Sequence, residues 1–152
     1  MLPTPKKYFV TAGSAEGTSE LNAFDNALLQ ASIGNVNLIK VSSILPPGTE
    51  YDPELRIPFG SLVPVAYASI ISEHPGDTIS AAVAVGVSED TFGVIMEFSD
   101  HCARGEAEAK VTSMVREAFA NRGMELIDIK MASSEITVKN IGCAFAAVPL
   151  WY

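Results

Sequence analysis

The stretch GDTISAAVAVGV, Gly76 to Val87, constrains the architecture more tightly than any other part of the chain. A strand with one wet face alternates apolar and polar residues, but Ala81 to Val87 has no polar side chain on either face. Both faces must therefore be covered, by helices on one side and by a second sheet or another subunit on the other. Working outward, Leu62 to Ser72, Gly93 to Phe98 and Cys143 to Leu150 read as further apolar strands, with HPGD (His74 to Asp77) and SEDT (Ser88 to Thr91) as turns. Leu126 to Met131 and Glu135 to Val138 read as two more.

Two segments carry helical spacing instead. Thr18 or Ser19 caps a helix running to about Ser32, with Leu21, Phe24, Leu28 and Ala31 as its apolar stripe and Gly34 as its stop. Ala103 to Arg122 is the second, lined by Ala107, Val111, Met114, Val115, Ala118 and Phe119 and ended by Gly123. Tyr8 to Ala12 and Asn35 to Ser42 read as strands, GSAEG (Gly13 to Gly17) as a loop, and Ile44 to Pro58, with four prolines, as irregular chain. Two amphipathic helices with six or more strands make a layered α/β or α+β domain spanning residues 1–152, the α+β class being the expectation.

The chain has 152 residues, 48% hydrophobic and 18% charged, with a formal net charge of −8. That is more apolar surface than a domain of this size hides alone, so an oligomer with a buried interface is expected. The acidic balance argues against nucleic acid, which needs a basic face, and suits a cationic small molecule. Cys102 and Cys143 form no CxxC pair and read as free thiols, which with the lack of a secretory signal points to the cytoplasm. No run is long and apolar enough for a membrane span. Asp100, His101 and Cys102 are adjacent, which suits convergence on one ion poorly, so no metal site is expected.

KVSSILPPG, Lys40 to Gly48, is the stretch that points to chemistry. A serine hydroxyl can attack the carbonyl carbon of the preceding residue, and the resulting ester can eliminate across Cα–Cβ and cut the chain. The new N-terminus then hydrolyses to a pyruvoyl group. The chemistry needs a close nucleophile, a polarised peptide and an oxyanion donor. The alternative is a solvated serine turn before Pro46 and Pro47, and local sequence leaves both open. Glu97, between Met96 and Phe98, is either a desolvated proton donor or a strand-end carboxylate facing water. Asp25, beside an apolar helical stripe, suits a guanidinium with its methylenes on leucine, or is simply a solvated helix residue.

Leu21 to Gly48, together with GSAEG, LVPVAYASIIS (Leu62 to Ser72), GDTISAAVAVGV, GVIMEF (Gly93 to Phe98) and GCAFAAVPLWY (Gly142 to Tyr152), resembles the pyruvoyl-dependent arginine decarboxylases in order along nearly the whole chain. The resemblance implies a four-layer αββα sandwich that assembles as a homotrimer, or a hexamer, with sites between subunits. It implies cleavage between Ser42 and Ser43 into a β chain of residues 1–42 and an α chain of residues 43–152, and a covalent pyruvoyl cofactor derived from Ser43. That ketone would act as the electron sink for decarboxylation of L-arginine to agmatine, a polyamine precursor. Glu97 would be the proton donor. Asp25 would contact the guanidinium and Leu28 would line the pocket. Gly34, Val36, Ser42 and Ile44 would meet the ligand. Asn37 would promote self-cleavage; it stands six residues from Ser43, about 20 Å in an extended strand, so a neighbouring subunit would supply it. Asn26 departs from the family pattern, in which a smaller residue follows the aspartate. Another amino acid as substrate, or an uncut trimeric small-molecule-binding protein, are the readings a two-band denaturing gel and a pocket mutation would separate.

Overall fold

The computed structural model describes residues 2–152. Its elements are β1 (Lys7–Tyr8), β2 (Thr11–Glu16), α1 (Glu20–Gln30), β3 (Asn37–Lys40), β4 (Ile44–Leu45), β5 (Glu50–Tyr51), β6 (Leu62–Ser72), β7 (Thr78–Val87), β8 (Gly93–Asp100), α2 (Arg104–Asn121), β9 (Asp128–Thr137) and β10 (Gly142–Trp151). One sheet runs β3-β6-β10-β1-β5, with β2 also on β10, and the other runs β4-β8-β7-β9. The sheets face one another and each carries a helix outside, giving an α+β sandwich of αββα layers.

β7 shows why its sequence lacks polar residues. Ile79, Ala81, Val83 and Val85 point into the layer between the sheets, against Ala144, Ala146 and Val148 of β10. Ala82 and Ala84 point the other way, against Val111, Val115 and Phe119 of α2. The outer face is built small because the helix lies close. A Cβ on Gly86 would stand 2.5 Å from Val115 Cγ1 and 2.6 Å from Phe119 Cε1, so only glycine leaves room. The second cover on β7 is thus the other sheet of the same chain.

The α1 layer is similarly close-packed, and here the structure corrects the sequence reading. Ser19 is the N-cap, its Oγ accepting from the Asn22 N–H at 3.1 Å. The buried face, however, is Ala23, Ala27, Leu28 and Ala31, with Phe24 partly covered, whereas Leu21 is 76% exposed. Small residues four apart let the helix backbone approach β2, where a Cβ on Gly13 would meet the Ala27 carbonyl oxygen at 2.5 Å. GSAEG is accordingly not a loop: through Glu16 it belongs to β2, paired along β10 from Ala147↔Thr11 to Gly142↔Glu16. Its glycines serve close approach rather than a turn. Two shorter corrections follow. The strand expected over 35–42 is confined to β3, and the two strands expected over 126–138 are one continuous β9.

Candidate active site

The Ser42–Ser43 peptide lies where the chain changes sheets. β3 runs parallel to β6, with Lys40 opposite Val65, and the Val41 N–H continues the ladder by donating to the Val65 carbonyl at 3.0 Å. β4 belongs to the other sheet, with Ile44 opposite Val94 and Leu45 opposite Gly93 of β8. The Ser43 carbonyl extends that ladder by accepting from the Ile95 N–H at 2.7 Å. The backbone is therefore fixed to one sheet at Val41 and to the other at Ser43, with the serine–serine bond as the bridge. Ser42 and Ile44 are exposed and Ser43 is half-buried. Both ends would stay anchored if the bridge were cut, since each is held by its own ladder.

Glu97 stands on β8 two residues beyond Ile95, so the two share the face toward the inter-sheet core. Val83, fully buried, is its partner on β7. With Ser43 opposite Ile95, antiparallel geometry places Glu97 on the diagonal from Ser43, with Cα atoms about 7–8 Å apart. Burial pushes the Glu97 carboxyl above the ordinary glutamate range, and the Lys40 ammonium pulls partly against it. Desolvation outweighs the cation, so the carboxyl holds its proton more tightly than an ordinary glutamate does.

Lys40 and Tyr67 are the residues that sequence reasoning passed over. The Lys40 Nζ sits 4.7 Å from the Tyr67 ring centroid, and the ring is itself packed 5.4 Å from Phe145. The signal was present, because Lys40 opens the KVSSILPPG motif three residues before Ser43.

The other candidates lie elsewhere on the chain. Asp25 is exposed on the outer side of α1, between Leu21 and Leu29, both exposed. Leu28 is buried under the helix. Asn26 is turned to β2, donating to the Glu16 carbonyl at 3.0 Å. Gly34 lies in the α1–β3 connection, where a Cβ would meet Leu29 Cδ2 at 2.5 Å. Val36 lines a cavity of about 610 Å³ with Phe9, Ile33, Asn35 and the strap from Pro53 to Phe59. Asn37 opens β3, its amide donating to the Gly60 carbonyl at 3.0 Å. The structure thus gathers Ser42, Ser43, Ile44 and Glu97 at the sheet crossover, and leaves Asp25, Leu28, Gly34, Val36 and Asn37 around α1 and the start of β3. A second cavity, about 430 Å³ between α2 and β9, contains none of them.

Among the described residues no three His, Cys, Asp or Glu side chains converge as a metal site would require. Burial pushes the Cys143 thiol up to about 12 and raises that of Cys102 as well, the latter also repelled by Glu106, Asp100 and Glu135. Neither is an activated nucleophile. Among the described residues no helix is long and apolar enough to cross a membrane.

A family model described as pyruvoyl-dependent arginine decarboxylase matches residues 7–152. Among curated proteins, the pyruvoyl-dependent arginine decarboxylase of Methanocaldococcus jannaschii is 51% identical over 150 residues, covering 97% of this chain and 91% of that protein. Those of Thermococcus kodakarensis and Pyrococcus abyssi are each 49% identical, covering 98% of this chain and 96% of the relative.

Proposed function

The chain belongs to the family of pyruvoyl-dependent arginine decarboxylases, and we propose from that premise that it cuts itself between Ser42 and Ser43 and then converts L-arginine to agmatine and carbon dioxide. The observation that carries this reading is the crossover peptide, pinned to a different sheet on each side and set beside a half-buried carboxyl whose proton affinity burial raises.

Self-processing uses atoms the chain already holds. The Ser43 Oγ attacks the Ser42 carbonyl carbon, the C–N bond breaks and an ester to Ser43 Oγ replaces the amide. Removal of the Ser43 Cα proton expels the Ser42 carboxylate and leaves a Cα=Cβ double bond. Tautomerisation and attack by one water release ammonia and leave a pyruvoyl group on residues 43–152. The Ser43 carbonyl, already held by the Ile95 N–H, would remain held as the amide of that group. The pyruvoyl is no larger than the seryl residue it replaces, so the half-buried position of Ser43 suits it. An oxyanion donor is still needed at the Ser42 carbonyl; Asn37 of a neighbouring copy would meet that need, since its own chain holds it at the far end of β3.

The chemistry the pyruvoyl group supplies is an electron sink for the pair left on the substrate Cα when carbon dioxide departs. The chain does the rest. Glu97 keeps a proton at its carboxyl oxygen and delivers it to Cα. Ile44 and the new Ser42 terminus border the reacting end. Asp25 pairs with the substrate guanidinium, beside Leu28 and the main chain of Gly34 and Val36. Because α1 lies on the outside of one sheet and Glu97 faces between the sheets, these two halves of a site are best joined across an interface, in a homotrimer or a hexamer of such trimers. The acidic chain suits a cationic substrate, and the enzyme would work in the cytoplasm at the entry to polyamine synthesis.

The test is a denaturing gel with a carbon dioxide release assay on arginine. Two chains, and release that depends on Ser43, support the reading. A single band of 16.1 kDa from material that evolves carbon dioxide overturns it.

A further inference from the structure

We propose that Lys40 is a positioning residue of this site: seated on the Tyr67 ring at the exit of β3, it is the fixed counter-charge for Glu97 and for the carboxylate that self-cleavage leaves on Ser42. The inference rests on the processing reading above.

The seat is geometrically defined. β3 pairs with β6 only as far as Lys40 opposite Val65, so the edge of β6 is uncovered from Tyr67 onward. Nζ of Lys40 bends over Tyr67, 4.7 Å from its centroid. Phe145 at 5.4 Å and Phe24 at 6.3 Å hold that ring in turn. At the same edge β8 closes on β6, with the Ser99 hydroxyl donating to the Ser69 carbonyl at 3.2 Å. Glu97, two residues before Ser99 and on the inter-sheet face, runs along that edge, while the Tyr67 ring under the ammonium packs on the α1 side; the lysine therefore acts on the carboxyl around the edge of β6. A cation on an aromatic face loses little of its charge and much of its freedom.

Charge balance explains the need for it. Cleavage turns a neutral peptide into a carboxylate on Ser42, while the other new end becomes a neutral ketone rather than an ammonium. One negative charge is created per chain. Ser42 is two residues from Lys40, on the same side of an extended segment and about 7 Å away along it. An unbalanced carboxylate there would raise the proton affinity of Glu97 further and bind the donated proton too tightly. The strands packed on the Glu97 face contribute Val83 from β7, Ala144 and Ala146 from β10, and Ala66, Ala68 and Ile70 from β6, none of them charged. Asp100 on β8 points to the opposite face. Among the described residues the Lys40 charge is the one that acts on Glu97, and it acts downward.

The experiment uses the assembled enzyme, with intact mass first establishing that each variant is cut at Ser42–Ser43; an uncut wild type would sink the processing reading rather than this one. The Glu97 carboxyl is then titrated by carbon NMR on glutamate-labelled protein, assigned with Glu97→Gln, alongside the pH profile of kcat/KM. In Lys40→Met both the carboxyl titration and the alkaline limb move to higher pH, and in Lys40→Arg both stay at the wild-type position. A merely structural lysine would lower the rate at every pH and move neither. Unmoved titration and limb in Lys40→Met, or the same displacement in Lys40→Arg as in Lys40→Met, overturn the proposal.

Discussion

β7 and the segment from Val41 to Ser43 are held in opposite ways. Every residue from Ile79 to Gly86 is buried, with a neighbouring strand on both edges and a packed layer on both faces. The crossover has a ladder bond at each end and an exposed Ser42 between. The contrast teaches that the rigid sheets fix two points of the chain and leave the one peptide between them, the proposed scission site, outside both ladders. Cutting it would remove a connection but no sheet pairing, so the sandwich would survive the proposed processing.

The comparison breaks most completely at Ser43. Ser43→Ala removes the attacking hydroxyl, and the chain should stay whole on a denaturing gel and release no carbon dioxide from arginine, with thermal stability near that of the wild type. Glu97→Gln sharpens it: processing should still occur, since mass spectrometry would find both chains, while turnover falls by about 10²- to 10⁴-fold, the usual worth of a placed acid. Asp25→Ala, on the exposed side of α1, should raise the KM for arginine by about 10- to 100-fold, as expected from losing a charged hydrogen bond, and leave the melting temperature almost unmoved. At the packed end, Gly86→Ala should be processed normally yet lose about 1–3 kcal/mol in denaturant unfolding, because α2 has no room for the methyl group. The smallest effect is one of pH. Burial holds the folded Glu97 carboxyl above its unfolded value, so the folded state binds more protons between the two. Stability contributed there should fall as pH rises through that window, and Glu97→Gln should flatten the slope.

Much of this contrast was legible in the sequence. β6, β7 and β8 were visible because an apolar run without alternation has few other homes, and α2 because its stripe uses large residues. α1 misled for a related reason. Its packed face is alanine, chosen for close approach to β2, so a search for large side chains picked out Leu21, which faces away. GSAEG misled because glycine signals both turns and contact, and only the Ala27 carbonyl beside Gly13 separates the two. The two strands expected over 126–138 leave out Ser133 and Ser134, which the structure places inside one continuous β9. Both are buried with partners: Ser133 accepts from Arg104 Nε, and Ser134 is bonded to the Phe145 backbone. Of the candidate site, the residues around Ser42 and Ser43 could be proposed because KVSSILPPG is local. Lys40 stands inside that motif, but no spacing rule links it to Tyr67 and Glu97, 27 and 57 positions later in the chain.

The most direct measurement is intact mass spectrometry of the active, assembled protein. The account predicts two species, one ending at Ser42 and one beginning at position 43 and lighter than a serine-initiated fragment by one ammonia. A single full-length mass, or a second fragment that keeps its serine amine, from material that decarboxylates arginine would contradict it.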